Sequence, residues 1–397
     1  NSAMKTVDEI FALLDSLTPR PLGAERILLE NSCGRILREN IIAPEDQPAF
    51  DRSSIDGYLV RAHSKPGIYK ITGRHQVGEP APTLPAAGSA VRIFTGSALP
   101  TGAALVMQED VRSGGDGSIE ILREPSPHLI RSKGSQSKAG DTLLRAPQGL
   151  TPGAIGLLAS LGISEVAVSP KIRVAHLVTG RELVPCSDTP RVGQIRDSNS
   201  PLIASLLQAF PAELIWQKRV GEERPAFLST LRSALDAQPH LVLVSGASSV
   251  GDEDHTASVL EELGFKIHAR QVCVKPGKPL LLAQKGEILA FGLPGNPLSH
   301  FVCYHLFVRR VLRAWSGLPP APLQTADLQN ATVIRSDARE TWWPGRLEYN
   351  EGRCQAVALP WADSSDLTCL ATADCLIRIP AGQQARSPAQ VLPTIST

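Results

Sequence analysis

The sequence predicts a multidomain α/β protein, and three features lead to this prediction. The chain has 397 residues, more than one ordinary hydrophobic core accommodates. Apolar strand-like runs alternate with helical patterns between residues 170 and 318, as in a doubly wound sheet covered by helices on both faces. The flanking regions instead contain many short strand-like runs broken by Pro and Gly. We therefore predict a central α/β domain joined to β-rich domains.

The N-terminal residues predict helices on either side of an inserted β-rich module. A helical stripe over residues 5–17 ends at Pro19, and a second helix is expected from Leu22 or Gly23 toward Cys33. Leu150 to Leu161 again has a helical pattern. The predicted domains are an N-terminal helical and linker domain over 4–42 and 142–169, and a β-rich module over 43–141.

The central and C-terminal regions are also predicted to form two domains of different structural class. Val174–Val178 and Leu241–Val244 are continuous apolar runs, which is typical of parallel strands buried on both faces. Helices are expected near 200–209, 225–237, 256–263 and 298–316. We predict a doubly wound domain over 170–318 and a small all-β domain over 319–397.

Composition excludes several classes of function. The net charge is +1, so no whole-molecule field attracts nucleic acid or an acidic membrane surface. Seven cysteines are scattered without a CxxC pair, which disfavours a structural zinc site and fits a reducing compartment. No apolar run approaches the ~20 residues that span a bilayer. We expect a cytoplasmic protein with no nucleic-acid or membrane partner.

The most informative segment is a proline- and glycine-rich loop that carries two lysines, Lys275 and Lys278. Two ammonium groups three residues apart on a stiff loop suit an oxyanion or a phosphate. After one more strand, residues 295–299 lead into a helix and present backbone amides and the Ser299 hydroxyl, a second possible anion site. Each loop by itself could be ordinary turn chemistry. The two loops together predict an anion-binding function.

Further polar segments follow the predicted parallel strands. The carboxyl ends of such strands form the usual ligand edge of an open α/β sheet, and Glu182 and Ser249 lie just beyond two of them. An acidic run ending at Asp254 could hold Mg²⁺ against phosphate oxygens, or could cap the following helix. The segment matches neither a Walker A sequence nor a GxGxxG fingerprint. His255 and His300 lie nearby, and isolated histidines of this kind are usually structural.

The β-rich module has its own polar cluster. Residues 48–58 concentrate polar and turn-forming side chains around Asp56, which is either functional or a simple turn aspartate. A second strand-and-turn segment presents Thr95. Both residues are candidate site residues.

Seven short motifs then show a family resemblance. They are Phe50–Tyr58, Phe94–Pro100, Thr179–Leu183, Asp197–Asn199, Ser249–Asp252, Lys275–Pro279 and Gly292–Pro297. In this order they resemble the MoeA family, the molybdopterin molybdenumtransferases related to the E domain of gephyrin. The resemblance extends from about residue 5 to 380.

The resemblance implies a fold and an activity. The expected architecture has a MogA-like central domain and a small C-terminal β-barrel-like domain. The expected activity is insertion of molybdate into adenylylated molybdopterin, with Mg²⁺ and release of AMP, during molybdenum cofactor biosynthesis. The family also implies a cytoplasmic homodimer, with the active cleft between the central domain of one protomer and the β-rich module of the other. An upstream pterin-adenylylating protein and downstream molybdoenzyme machinery are the implied partners.

The resemblance also implies roles for individual residues. Lys275, Lys278 and Ser299 match positions that line the molybdate and phosphate site, and Ser365 loosely matches a serine of the tail domain. Asp56, Glu182 and Asp254 match acidic active-site positions. Together with Glu223 these three acids are the expected Mg²⁺ ligands.

Three departures from the family pattern support a second hypothesis. Gln136 stands where the family has a carboxylate, Arg181 replaces the aspartate beside Glu182, and Pro344 occupies the position of the usual tail-domain arginine, for which Arg346 could substitute. A degenerate paralogue could bind pterin or molybdate, or act as a scaffold, with little transferase activity.

Overall fold

The computed structural model describes residues 4–221, 223–246, 255–329, 336–350 and 352–394. The chain divides into two compact units. The first unit draws on residues 1–38, 147–155 and 165–397, and the second on residues 39–146 and 156–164.

The chain up to residue 168 contains two helices and fourteen short strands. In chain order these are α1 (Val7–Leu17), β1 (Glu25–Leu28), β2 (Ile36–Leu37), β3 (Ile41–Ile42), β4 (Arg52–Ser53), β5 (Gly57–Arg61), β6 (Gly67–Arg74), β7 (Ser89–Ile93), β8 (Ala103–Met107), β9 (Val111–Ser113), β10 (Ser118–Ile121), β11 (Ile130–Arg131), β12 (Thr142–Leu144), β13 (Gln148–Gly149), α2 (Pro152–Ser160) and β14 (Glu165–Val168).

The predicted first helix is confirmed and the predicted second helix is wrong. The start of α1 is fixed by a capping box, in which Thr6 accepts the Glu9 amide (3.2 Å) while the Glu9 carboxylate accepts the Thr6 amide (2.7 Å). The segment after Gly23 instead forms β1 and a 3-10 turn over Leu29–Asn31. Its backbone pairs with β14 in antiparallel register, so a partner distant in sequence overrides the local helical pattern.

The β-rich module is confirmed as the core of the second unit. Six strands form a sheet in the order β8-β5-β7-β6-β10-β9, and β4–β11 and β3–β12 form two short pairs. Within the first unit, β1, β14, β2 and β13 form a separate four-stranded sheet.

The central domain alternates strands and helices. Its elements are β15 (Ile172–Thr179), β16 (Leu183–Val184), β17 (Ile195–Arg196), α3 (Asn199–Leu207), β18 (Ala212–Val220), α4 (Arg224–Asp236), β19 (Leu241–Ser245), α5 (His255–Glu262), β20 (Lys266–Gln271), β21 (Val274–Lys275), β22 (Pro279–Lys285), β23 (Ile288–Leu293), α6 (Pro297–Cys303) and α7 (Arg309–Trp315). A π-helical turn over Tyr304–Val308 joins α6 to α7.

The main sheet has the order β18-β15-β19-β23-β22-β20. The first four strands are parallel, whereas β22 and β20 are antiparallel to their neighbours. After β15, helix α3 leads to β18 on one side of it, and α4 then returns the chain to β19 on the other side. The strand order therefore reverses between β15 and β19. This reversal is a topological switch point, the usual ligand position in such folds.

Alternate residues of the central strands face two separate cores. Val174 of β15 and Leu243 of β19 pack with α1, α3 and the α6–α7 helix, while Leu177 and Val244 pack with α4 and α5. Both faces of the sheet are therefore covered, which accounts for the continuous apolar runs in the sequence.

The C-terminal region forms a small barrel. Its elements are β24 (Gln324–Gln329), β25 (Glu340–Asn350), β26 (Arg353–Ala358), α8 (Leu367–Leu370), β27 (Cys375–Ile379) and β28 (Ala389–Pro393). Within the described residues, five strands close in the order β25-β26-β24-β28-β27, with β27 pairing back onto β25. The predicted fold class, including the β-barrel-like C-terminal domain, is confirmed. The exact domain limits remain predictions.

Two further sequence-based points concern the described part of the chain. None of its helices is long and apolar enough to cross a membrane. All seven cysteines lie in it and are free thiols.

Candidate active site

A large cleft of about 1320 Å³ lies at the carboxyl edge of the parallel strands. It is lined by residues from the central domain and from the C-terminal region of the first unit. The lining side chains with polar or aromatic chemistry are Thr179, Glu182, Arg196, Asp197, Ser198, Asn199, Lys275, Lys278, Asn296, Ser299, Arg339, Trp343, Trp361, Asp363, Ser364 and Ser365. Four of these side chains are cations and three are carboxylates, so the described lining has one excess positive charge.

The floor of the cleft is formed by main-chain atoms at the topological switch point between β15 and β19. Gly246 follows β19 with φ of +88°, and its amide donates to the Leu293 carbonyl at 3.1 Å. A Cβ added at Gly246 would lie 2.2 Å from the Thr179 carbonyl oxygen at the end of β15. Only glycine combines that left-handed conformation with so close an approach. Gly295 lies directly against Gly246, so the main chain itself is exposed to a ligand here.

The two predicted lysines line this cleft together. Their loop precedes β22, and because β22 is antiparallel its first residue lies at the same edge as the carboxyl ends of the parallel strands. At the start of this loop, the two-residue strand β21 pairs with β25 of the barrel, which anchors the lysine loop to the C-terminal region.

Lys275 belongs to a charged triad that sequence reasoning missed. Its ammonium lies 3.4 Å from Asp337 Oδ2, and the Arg339 guanidinium donates to both oxygens of the same carboxylate at 2.7 and 3.2 Å. The Arg339 hydrogen bonds, followed by the charge of Lys275, hold the pKa of Asp337 far below its usual range. One carboxylate therefore neutralises part of the charge that Lys275 and Arg339 bring to the cleft.

Lys278 is in a different electrostatic situation. Among the described residues, no carboxylate lies within 4.0 Å of its ammonium group. Its backbone carbonyl accepts the Val272 amide at 3.0 Å, which fixes the loop beneath it. Its positive charge is therefore available to a ligand.

The start of α6 departs from the predicted anion site. The amides of Leu298 and Ser299 already donate to the Ser364 carbonyl, at 3.1 and 3.4 Å, and the Asn296 side chain donates to the Ser364 hydroxyl. A segment more than sixty residues further along the chain therefore occupies two of the amides expected to face an anion, and anion binding by this loop stays a prediction. Ser299 itself is one of the residues that line the cleft.

Ser365 also lies in the cleft, but its hydroxyl is engaged. Both the hydroxyl and the amide of Ser365 donate to Asp363 Oδ1. These two bonds lower the pKa of the Asp363 carboxyl. Ser365 can accept a hydrogen bond from a ligand without breaking its contact with Asp363.

The predicted acids are only partly brought together. Glu182 lines the cleft, whereas Glu223 does not and lies 4.0 Å from the Arg181 guanidinium instead. The described residues contain no group of three or more potential metal ligands. Since Mg²⁺ usually takes one or two carboxylates and completes its shell with phosphate oxygens and water, Glu182 fits as one ligand of a substrate-bound ion.

A buried polar chain supports the floor of the cleft. The Ser245 hydroxyl lies 2.8 Å from His176 Nε2 and 2.7 Å from His300 Nε2, and the Gln217 amide lies 2.9 Å from His176 Nδ1. Burial lowers the pKa of both histidines to about 3, so both rings are neutral. His300 thus has the structural role that sequence reasoning expected of it.

Three further cleft residues had no clear signal in the sequence. Trp343 and Trp361 stack edge to face with ring centroids 5.4 Å apart and form an aromatic wall. Asn199 donates to the Gly295 carbonyl at 2.8 Å, while its buried Oδ1 and the Trp361 Nε1 have no hydrogen-bond partner among the residues that the structure describes. The Asp197–Asn199 motif indicated where Asn199 lies but not which atom is free.

Two of the predicted site residues, Asp56 and Thr95, lie in the second unit. Asp56 Oδ1 accepts both the amide (2.7 Å) and the hydroxyl (3.0 Å) of Thr95, and these bonds lower the pKa of the Asp56 carboxyl. The two residues singled out separately in the sequence are therefore direct partners. Ser249 and Asp254, by contrast, lie outside the described residues.

The three departures have definite positions. Arg181 lies beside Glu223, as described above. Pro344 lies within β25 opposite Leu376. The backbone N–H of Gln136 donates to the backbone carbonyl of Gln47 at 2.8 Å. Arg346 pairs with Glu348 rather than lining the cleft, so the described arginine that the barrel region contributes to the cleft is Arg339.

The fold and the cleft define a class of protein. It is a multidomain α/β protein with a lysine-containing cleft at a topological switch point, completed by side chains from the C-terminal barrel region.

Comparisons with known proteins identify the family. Three family models match in order: the MoeA N-terminal region (domain I and II) over residues 5–162, the "Probable molybdopterin binding domain" over 175–314, and the MoeA C-terminal region (domain IV) over 327–392. The chain belongs to the MoeA family.

Individual relatives agree with this assignment. The chain is 33% identical to the molybdopterin molybdenumtransferase of Haemophilus influenzae over 88% of its length and 86% of that protein. It is also 33% identical to the molybdopterin molybdenumtransferase of Nostoc sp., over 96% of its length and 90% of that protein. The crystal structure of the molybdopterin biosynthesis MoeA protein from Pyrococcus horikoshii OT3 superposes with a TM-score of 0.79 at 26% identity, covering 98% of each chain.

Proposed function

We propose that this protein is an enzyme of molybdenum cofactor biosynthesis that inserts molybdate into adenylylated molybdopterin and releases AMP. The family and the names of its relatives support this reaction. They favour it over the alternative of a pterin- or molybdate-binding scaffold without transfer activity. The observation that carries the proposal is the convergence of Lys275, Lys278 and the Ser299 hydroxyl in one cleft at the switch point.

The cations hold the oxyanion. Molybdate and the phosphates of an adenylylated pterin are all oxyanions. Lys278, which has no carboxylate within 4.0 Å among the described residues, stabilises them most strongly. Lys275 and Arg339 also line the cleft, but both pair with Asp337, whose carboxylate neutralises part of their positive charge. The Ser299 hydroxyl donates one further hydrogen bond.

The other end of the ligand requires different chemistry. A pterin ring is flat and carries several N–H donors along its edge. The Trp343–Trp361 pair provides an aromatic surface for such a ring, and the unpartnered Oδ1 of Asn199 provides a buried acceptor. The cleft volume of about 1320 Å³ accommodates a ligand larger than a single anion.

Several finer points belong to the same proposal. Glu182 would be one ligand of a Mg²⁺ ion, and a bound ion would supply positive charge that neutralises the phosphate of the AMP leaving group. The protein works in the cytoplasm as a homodimer, in which the Asp56–Thr95 pair of the second unit completes the cleft of the partner. It receives its substrate from a pterin-adenylylating protein and passes its product to molybdoenzymes.

The decisive test is AMP release from adenylylated molybdopterin with molybdate and Mg²⁺. Wild type should release AMP only when molybdate is present. Lys275→Ala should reduce the rate about 10- to 150-fold, since a charge-assisted contact contributes about 1.5–3 kcal/mol. Lys285→Ala is the matched control, because Lys285 is an exposed lysine at the far end of β22 and does not line the cleft.

The outcomes separate the hypotheses. Tight pterin binding without AMP release would overturn the transferase proposal and favour the binding or scaffold role. Equal loss in Lys275→Ala and Lys285→Ala would show that the lysine loop does not form the site.

A further inference from the structure

A second, smaller cavity lies in the first unit and shares no lining residue with the cleft. Its volume is about 60 Å³, room for about four to six water-sized groups. Phe11 of α1 and Trp342 of β25 contribute apolar walls. Three arginines and one histidine of the π turn and α7 contribute the polar wall.

Arg309 brings a buried charge to this cavity without a counter-ion. It is 7% exposed, and its hydrogen-bond partner in the described residues is the Pro393 carbonyl. No carboxylate lies within 4.0 Å of its guanidinium in the described part of the chain. Arginine does not lose its proton at any ordinary pH, and one neutral carbonyl compensates its buried charge only in part, which favours an anion in the cavity.

The neighbouring arginines increase this excess of positive charge. Arg313, one turn further along α7, donates to the Pro319 carbonyl at 2.6 Å and also has no acid within 4.0 Å in the described residues. Arg310 does have an acid, since Asp15 accepts two of its hydrogen bonds at 2.6 and 2.7 Å. Asp15 is thus already paired with Arg310. Within the described residues, the charges of Arg309 and Arg313 have no carboxylate partner.

His305 is an independent sign of a missing ligand. His305 is 4% exposed and lines the cavity, yet neither ring nitrogen has a hydrogen-bond partner in the described part of the chain. Burial, assisted by the charge of Arg309, lowers the pKa of this ring well below its ordinary value. The ring is therefore neutral and offers one N–H donor, which a buried site normally satisfies.

We propose that this cavity is a binding site for a small oxyanion, held by the Arg309 and Arg313 guanidinium groups and the His305 N–H. Inorganic phosphate and a short carboxylate share this chemistry, because both present oxygens that guanidinium groups bind. The apolar walls from Phe11 and Trp342 favour a carboxylate with a small apolar group, and they shield the charges from water.

Titration calorimetry with inorganic phosphate, and separately with acetate, tests the proposal. The Lys275→Ala, Lys278→Ala double variant serves as the background, because it removes phosphate binding in the cleft. We expect one saturable site to remain, and adding either Arg313→Gln or His305→Phe should weaken it at least tenfold. Arg346→Gln is the charge-matched control, since Arg346 pairs with Glu348 on the barrel surface.

The outcomes are distinct. Tighter binding of acetate would identify a carboxylate site, and tighter binding of phosphate a phosphate site. Absence of saturable binding of both anions in the background variant would overturn the proposal and leave a cavity filled by water. Equal weakening by Arg346→Gln would also overturn it, because the effect would then be one of net charge.

Discussion

At the scale of single residues, the cleft shows how one carboxylate tunes two cations. Sequence reasoning found Lys275 and Lys278 because they share a short loop, but it could not find Asp337, which reaches Lys275 only through the tertiary fold. The two lysines looked equivalent in the sequence. The structure distinguishes them, since Lys275 shares an acid with Arg339 and Lys278 does not.

This difference leads to a prediction for Asp337→Asn. Removing the carboxylate charge should release Lys275 and Arg339 toward the cleft and tighten molybdate binding. We expect a gain of up to about fivefold, because partly exposed ion pairs contribute about 0.2–1 kcal/mol. Calorimetric titration with molybdate measures it. Asp116→Asn, in a turn of the second unit, controls for the change in net charge, and weaker binding in Asp337→Asn would mean that Asp337 chiefly orients Arg339.

At the scale of secondary-structure elements, prediction worked where the pattern and the tertiary environment agree. The expected helices near 200–209, 225–237, 256–263 and 298–316 correspond to α3, α4, α5 and the α6–α7 helix. The expected helix after Leu22 failed because β14 offers that backbone a strand partner. The lysine loop was placed correctly, but its antiparallel neighbour β22 and its link to the barrel through β21 were not foreseen.

The turn between β19 and the cleft gives an element-scale prediction. Gly246→Ala should destabilise the central domain by more than about 2 kcal/mol, because it adds a left-handed alanine and a Cβ 2.2 Å from the Thr179 carbonyl. It should also abolish ligand binding in the cleft. Gly156→Ala in α2 is the control, since an added Cβ there meets open space and should be neutral or slightly stabilising. Urea denaturation of both variants provides the comparison, and equal stability would contradict the assigned geometry.

At the scale of the whole molecule, buried neutral histidines couple stability to pH. His176 and His300 have folded-state pKa values of about 3 against an ordinary value of 6.5. Burial is the main cause, and for His300 the nearby His176 lowers the pKa further while Asp197 raises it. Between pH 3 and pH 6.5, these two histidines are protonated in the unfolded chain but not in the folded chain. Stability is therefore fully present above pH 6.5 and falls as the pH decreases toward 3.

The corresponding prediction compares wild type with His300→Gln. In wild type, each such histidine should lower the free energy of unfolding by up to about 1.4 kcal/mol per pH unit below pH 6.5. His300→Gln should show a shallower fall between pH 6.5 and 5, measured by urea denaturation. Above pH 7.5 the two proteins should have parallel profiles, because the histidines are neutral in both states. Parallel profiles at low pH as well would show that His300 does not titrate on unfolding.

Sequence patterns alone were enough to predict the fold class and the family, and they singled out several residues that line the cleft. These follow from local signals, since apolar periodicity, proline–glycine loops and short collinear motifs are each contained within a few neighbouring residues. The tertiary structure decided which groups are free to act. It paired Thr95 with Asp56, engaged two α6 amides with Ser364 and placed Asp337 between two cations. Among the described residues, it left Arg309 without a carboxylate partner and the His305 ring without a hydrogen-bond partner. Charge compensation and hydrogen-bond satisfaction depend on groups far apart in the chain, and only folding brings those groups within contact distance.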